Sequence, residues 1–258
     1  MKRSKSQERR SEILQMVVEN RSAQVDQLAE YFDVSKMTIH RDLNQLQERG
    51  LVRRIHGGVT AEKSVSFESS FQFRMLQANA EKTRLARAAA EYVSPGDAIV
   101  LDDSTTTFNV LEFIEQLEPL TVLTNSVAAI ARLKEFDNIN LVGIGGSFNR
   151  QFNGFFGLAC EQMLESFRVD TAIMSTTTVH GTSIHSQEEE VVRAKRAMLK
   201  ISKTRILLAD ASKFSGTALH YIADLREFDH VLISGDMSPE HLSLLSDAGV
   251  NYRYLNND

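Results

Sequence analysis

The chain has 258 residues, with 29 Lys and Arg against 34 Asp and Glu and a formal net charge of −5. That length fits two domains or one large one. A composition of 42% hydrophobic and 24% charged residues belongs to a packed protein and excludes global disorder. No apolar run approaches the roughly 18 residues of a membrane helix. The basic N-terminal stretch MKRSKSQERRSEIL lacks the apolar core of a signal peptide. One cysteine, Cys160, forms neither an internal disulfide nor a cysteine-based zinc site. A cytoplasmic protein with no membrane association is expected. The charge is uneven: residues 1–60 hold 11 Lys and Arg against 8 Asp and Glu, and the remainder hold 18 against 26. A basic head on an acidic body predicts an anionic partner for the head.

Ile13, Leu14, Val17 and Val18 form one apolar stripe and predict a helix over 7–19. Val25, Leu28, Ala29 and Phe32 predict a shorter one over 24–32. Ser35 is a good N-cap for a third helix running to about Glu48, which Gly50 stops. Two short helices, a tight turn and a longer third helix make a helix-turn-helix pattern. On the third helix Ile39, Leu43 and Leu46 share one sector and face a core. Arg41 lies nearly opposite, Met37, Thr38, His40, Asn44 and Gln45 flank that sector, and Asp42 sits at the core edge where an Arg can pair with it. Short polar and basic side chains on the first turns suit a helix entering the major groove. Leu51–Val59 alternates and contains Gly57-Gly58, which predicts a hairpin whose Arg53, Arg54 and His56 present donors to phosphates. The candidate DNA contacts are therefore Lys36, Met37, Thr38, His40, Arg41, Asn44, Arg53, Arg54 and His56. From spacing alone, a small helical bundle with a solvated charged face is an equal reading.

The full string decides further. Val34-Ser35-Lys36-Met37-Thr38-Ile39-His40-Arg41-Asp42-Leu43, then Leu46, Gly50-Leu51 and Arg54-Ile55-His56-Gly57-Gly58, closely resembles the DeoR family of bacterial transcriptional regulators. That family carries V-S-x-x-T-I-R-R-D-L, then L, G and R-x-H-G-G. The match is ungapped and departs at His40, where the family usually has Arg; His and Arg read base edges differently. The resemblance implies a winged helix-turn-helix over 1–60 that binds double-stranded operator DNA. Homo-oligomerisation is expected as well, because one short helix reads few base pairs and paired half-sites raise specificity.

Residues 61–80 show no clean period and read as a linker, with Arg74 matching an Arg the family has nearby. Phe67, Phe71 and Phe73 fit either interface anchors or core residues. From 81 to 258 helical stretches (81–93, 106–117, 126–135, 157–166, 188–202, 239–248) alternate with short apolar strands at 98–101, 121–123, 139–142, 171–174, 205–208 and 230–233. This alternation predicts an α/β domain with a mostly parallel sheet covered on both faces.

Small polar residues follow five of these strands: Asp102–Thr107, Thr124-Asn125-Ser126, Gly145-Gly146-Ser147, Ser175–Thr178 and Asp210–Phe214. Open α/β sheets bind ligands at the carboxyl ends of their strands, and hydroxyls at helix starts with a lysine suit a small phosphorylated polyol. Each Ser, Thr or Asn taken alone is equally an N-cap. The candidate effector residues are Asp102, Ser104, Thr105, Thr106, Asn125, Gly146, Thr177 and Lys213.

These segments extend the resemblance. The family's sensor domain carries D-S-G-T-T, T-N-S, G-G and D-x-S-K-F in these places. Asp103 and Ser104 replace the Ser and Gly of the first motif. Asn149 stands where an Arg is frequent, and Ser175-Thr176-Thr177-Thr178 replaces a G-x-S-G loop. Lys82 and Lys195 match family lysines. The resemblance implies a fold similar to ribose-5-phosphate isomerase, and sensing of sugar phosphates rather than their turnover. An isomerase or transferase on the same scaffold is the alternative, with Asp102, Asp103 and Asp210 placed to act as bases. No nucleotide-binding glycine motif is present. His180, His185 and Glu188–Glu190 lack metal-ligand spacing, and Cys160 reads as a core residue. No cofactor, metal or catalytic residue is expected.

Overall fold

The computed structural model describes residues 5–20, 22–48, 51–60 and 70–255. They form two compact units, Met1–Gln77 and Ala78–Asp258.

The first unit comprises α1 (Lys5–Asn20), β1 (Ser22–Gln24), α2 (Val25–Tyr31), α3 (Lys36–Glu48), β2 (Arg53–Ile55), β3 (Gly58–Thr60) and α4 (Phe71–Leu76). The predicted stripes meet: Ile13, Val17, Leu28, Ile39, Leu43 and Val59 are fully buried in one core. Ser35 caps α3, its Oγ accepting the Thr38 N–H at 3.2 Å. The hairpin β2–β3 is antiparallel, and β1 adds a third strand on the far side of β3. β1 approaches so closely that a Cβ on Gly58 would lie 2.5 Å from the Ala23 carbonyl oxygen, so only glycine fits there. The expected stop at Gly50 lies outside the described residues, as do 61–69 of the linker and Phe67. The rest of that segment is structured: α4 packs Phe73 and Leu76 on the first unit's core, and the next helix opens at Asn79 in the second unit.

The second unit runs α5 (Asn79–Ala90), β4 (Ala98–Leu101), α6 (Thr105–Phe108), α7 (Leu111–Ile114), β5 (Leu120–Thr124), α8 (Val127–Leu133), β6 (Ile139–Gly143), β7 (Ser147–Asn149), β8 (Gly154–Phe156), α9 (Leu158–Glu165) and β9 (Val169–Ser175). It continues through β10 (Thr178–His180), β11 (Ser183–Ser186), α10 (Glu189–Ile201), β12 (Ser202–Asp210), β13 (His220–Asp224), β14 (His230–Ser234), α11 (Pro239–Asp247) and β15 (Tyr252–Leu255). Seven strands form one parallel sheet in the order β15-β14-β12-β9-β4-β5-β6. Ile99, Leu101, Ile173, Ile206, Leu208 and Leu232 enter the core on one face, and Val100, Ala172, Met174, Leu207, Val231 and Ile233 the core on the other. That is the period of two expected of strands covered on both faces.

The helix expected over 106–117 is broken into α6, α7 and a 3-10 turn, Glu115–Leu117. Asn109 and Val110 N–H groups bond to Thr106 and Thr107 carbonyls three residues back, and the Thr107 hydroxyl competes for the Ser104 carbonyl at 3.0 Å. Six described strands of the second unit go beyond the sequence reading: the edge strand β15, the hairpin β7–β8, and a small antiparallel sheet β10-β11-β13. Among the described residues no helix is long and apolar enough to cross a membrane.

Candidate DNA interface and effector site

The outward face of α3 carries Lys36, Met37, Arg41 and Asn44, all exposed, with Thr38 and His40 half-buried beside them. Met37 is 78% exposed. Asp42 is the one carboxylate in the first two turns, and it is turned inward, 2% exposed. Its oxygens accept from Arg9 Nε at 2.6 Å and Arg10 Nη1 at 3.2 Å. Lys36 pairs with Asp26 at 2.9 Å, but both side chains are mostly in solvent, so the pair is weak and opens readily.

Arg54 differs from expectation. Its guanidinium does not project from the wing toward phosphates. Nη1 donates to Asn44 Oδ1 at 3.1 Å and Nη2 to His40 Nδ1 at 2.7 Å, because β2 runs beside α3 and both acceptors lie within its reach. Arg53 and His56 are exposed.

In the second unit all seven strands of the main sheet are parallel, so the polar segments after β4, β5, β6, β9 and β12 lie at one edge of that sheet. The chain reverses its direction of winding between β4 and β9, the position where open α/β sheets form a crevice. Asp102 closes that point. Its Oδ1 accepts from Ser104 N–H at 3.0 Å and the Thr107 hydroxyl at 2.8 Å; its Oδ2 accepts from Ser175 N–H at 2.9 Å and from Lys195 Nζ. Lys195 also donates to the Ser175 carbonyl at 2.9 Å, and Asp103 Oδ1 lies 4.0 Å from its ammonium. Burial opposes the charge on Asp102. The Lys195 ammonium and the hydrogen bonds from Lys195, Ser175 and Ser104 outweigh it and hold the carboxyl below the usual carboxylate range. Asp102 was expected to bind effector or to serve as a base. Both its oxygens are spent on the protein, so it positions the loops after β4 and β9 instead.

The other expected residues divide. Ser104 is an N-cap, its Oγ accepting from Thr107 N–H at 3.1 Å. Thr105 and Thr106 are buried beside it. Thr176 and Thr178 of the Ser175–Thr178 loop turn their hydroxyls into the protein: Thr176 to the His185 carbonyl at 3.1 Å, Thr178 to the Lys213 carbonyl at 2.9 Å. Thr177 is exposed between them, and Lys213 is half-buried on a 3-10 turn, Ala211–Ser215. Gly146 has φ +145, and a Cβ there would lie 2.4 Å from the Phe156 carbonyl oxygen, so β8 packs where any side chain would stand. Asn125 is fully buried; its Nδ2 donates to the Phe155 carbonyl at 2.9 Å, while its Oδ1 has no partner among the described residues.

A family model described as DeoR-like helix-turn-helix domain matches residues 9–65, and one described as DeoR C terminal sensor domain matches 77–235. The chain belongs to the DeoR family of transcriptional regulators. Relatives of this DeoR-family regulator include the uncharacterized HTH-type transcriptional regulator YgbI of Escherichia coli strain K12, 34% identical over 92% of each chain. HTH-type transcriptional regulator IolR of Bacillus subtilis strain 168 is 31% identical, covering 89% of this chain and 92% of its own. An L-fucose operon activator of Haemophilus influenzae is 31% identical over the same shares, 89% and 92%. Among solved structures, ribose-5-phosphate isomerase A from Methanocaldococcus jannaschii matches about half of each chain, 52% and 54%, at 17% identity and a TM-score of 0.39.

The DeoR-type sensor unit also holds two groups outside the expected effector residues: Lys195, which the sequence offers only as a match to a family lysine, and Asp103, which it offers only as a candidate base. Lys195 and Asp103 stand at the centre of the crevice point. A signal for Lys195 was present: it falls on the stripe Val191, Ala194, Lys195, Met198, all buried on α10, and a lysine on a core stripe needs a buried anion. Cys160 is fully buried, and burial, with the charges of Glu161 and Asp103, pushes its thiol up to about 12; it is a neutral packed group.

Proposed function

We propose that this DeoR-family regulator is a repressor of a carbohydrate-metabolism operon. Its first unit binds operator DNA through α3 and the β2–β3 wing, and its second unit senses a small phosphorylated sugar. The observation that carries the reading is the face of α3: Lys36, Thr38, His40, Arg41 and Asn44 point outward while Asp42 is drawn onto Arg9 and Arg10. A duplex meets cationic and hydrogen-bonding groups there and no carboxylate. One relative is named for an L-fucose operon, which supports a carbohydrate target.

For the sensor, the unpaired and buried Asn125 Oδ1 supports a ligand that brings hydroxyl donors, since an unsatisfied buried acceptor costs about 1–3 kcal/mol. Gly146, Thr105, Thr106, Thr177 and Lys213 stand along the same sheet edge, with Lys213 supplying the cation for a phosphate. The effector acts by linkage: it changes operator affinity only to the extent that it binds the DNA-competent and DNA-incompetent states differently. The regulator works as a homo-oligomer in the cytoplasm.

The test is a thermal-shift screen of pentose and hexose phosphates on the full chain, followed by operator titration with the hit. A ligand at 100 times its Kd stabilises the native state by about 2.7 kcal/mol, a shift of several degrees. The same compound is expected to weaken operator binding. Lys213→Ala is expected to bind the effector about 10–100-fold more weakly, the range of a lost charge-assisted hydrogen bond, and to leave DNA affinity unchanged. A Lys213→Ala variant released from DNA at the wild-type effector concentration would remove Lys213 from the site.

A further inference from the structure

We infer that Arg54 orients His40 and Asn44 so that α3 turns their donors to the major groove and selects base edges presenting acceptors, guanine above all. The inference rests on the DNA-binding role of α3 proposed above. A guanidinium carries only N–H donors, so Arg54 Nη2, 2.7 Å from His40 Nδ1, donates to that nitrogen. The neutral imidazole then holds its proton on Nε2. Arg54 Nη1, 3.1 Å from Asn44 Oδ1, donates to that oxygen, turns it toward the wing and leaves Nδ2 as the unbonded group. Among the described residues neither His40 Nε2 nor Asn44 Nδ2 has a partner.

The other side-chain oxygens at the first turns also have partners within the protein. Thr38 Oγ1 is bonded to Ser35 Oγ at 2.9 Å, and Asp42 is held by Arg9 and Arg10. What α3 offers a duplex is Nε2–H of His40, Nδ2–H of Asn44 and the charged groups of Arg41 and Lys36. An asparagine reads adenine by donating to N7 and accepting from N6, which needs Oδ1 aimed at the base edge. In Asn44 that oxygen is turned toward Arg54 instead. Cytosine shows only an N4 donor in the major groove and is refused for the same reason, whereas guanine shows acceptors at both N7 and O6. The position that departs from the family string, His40, is thereby given a defined role, with Arg54 positioning it from the wing.

The experiment is selection of randomised duplexes by the full chain at fixed salt, read by sequencing. The base read by residue 44 is identified as the position whose selectivity disappears in Asn44→Ala. Wild type is expected to enrich guanine there about tenfold over adenine and cytosine. Arg54→Leu frees both acceptors, and adenine is expected to rise to at least the level of guanine at that position. Asn44→Asp keeps an acceptor for Arg54 but loses the donor, so it moves that position away from guanine without depending on the fold of the Arg54 variant. Wild type selecting adenine there, or a folded Arg54→Leu with its guanine preference unchanged, overturns the inference and leaves DNA binding standing. No sequence enrichment by wild type at all overturns the DNA-binding reading itself.

Discussion

Lys195→Met is expected to destabilise the second unit by about 3–5 kcal/mol, the range for removing one partner of a buried ion pair. Lys195 is 4% exposed and Asp102 1%. Its ammonium is the main favourable charge on Asp102, and without it a buried carboxylate keeps only the Ser104, Thr107 and Ser175 donors. Urea denaturation of the single and double variants measures the effect. Asp102→Asn combined with Lys195→Met leaves no stranded charge and is expected to recover much of the loss, giving a large coupling in the double-mutant cycle. A loss below about 1 kcal/mol, within the range of exposed pairs, would show that the pair does not organise the loops after β4 and β9.

The same pair sets a pH signature. The folded Asp102 carboxyl titrates below its ordinary 3.8. Its contribution is therefore complete above that value and is lost only as pH falls through the lower folded value. In Lys195→Met the lowering charge is gone and burial dominates. The acid limb of stability is then expected to move to higher pH, which melting across an acid series detects.

Arg41→Ala is expected to weaken operator binding about 10–100-fold, corresponding to about 1–3 kcal/mol for one base-reading contact. The fold should survive, because Arg41 is exposed on α3 opposite the Ile39–Leu43–Leu46 stripe. Titrations at several salt concentrations separate two roles. A phosphate contact lowers the salt slope by roughly 0.9 and affects all sequences alike, while a base contact relaxes preference at one position and leaves the slope. Wild-type affinity in the variant would take α3 out of the interface.

The fold was largely legible because its signals are local. The stripes of α1 to α3 and the apolar strands β4, β5, β6, β9, β12 and β14 follow from burial on one face or on two. β15 was missed because Tyr252-Arg253-Tyr254-Leu255 is a partly exposed edge strand, without the continuous apolar run of its neighbours. β10, β11 and β13 were missed because Thr178–His180, Ser183–Ser186 and His220–Asp224 are rich in polar residues; their pairing is with one another, not with the main sheet.

The candidate sites were legible in residue type and only partly in role. Ser104 and Asp102 follow an apolar strand in the sequence, and that position brings them to the sheet's carboxyl edge. Whether a polar group there faces a ligand or the protein depends on partners far away in sequence: Asp102 meets Ser175 and Lys195, 73 and 93 residues on. Arg54 likewise reads as a wing cation until β2 is placed beside α3, where it finds His40 and Asn44.

The sequence by itself determined the basic head with an acidic body, the helix-turn-helix and wing, the alternating α/β order and the family, because periodicity, caps and motif spacing are properties of neighbouring residues. Only the tertiary structure decided which polar groups are spent. The bonds that join Arg54 to Asn44, Asp42 to Arg9 and Asp102 to Lys195 span 10, 33 and 93 residues, and a buried polar group must take whatever partner the packing brings to it.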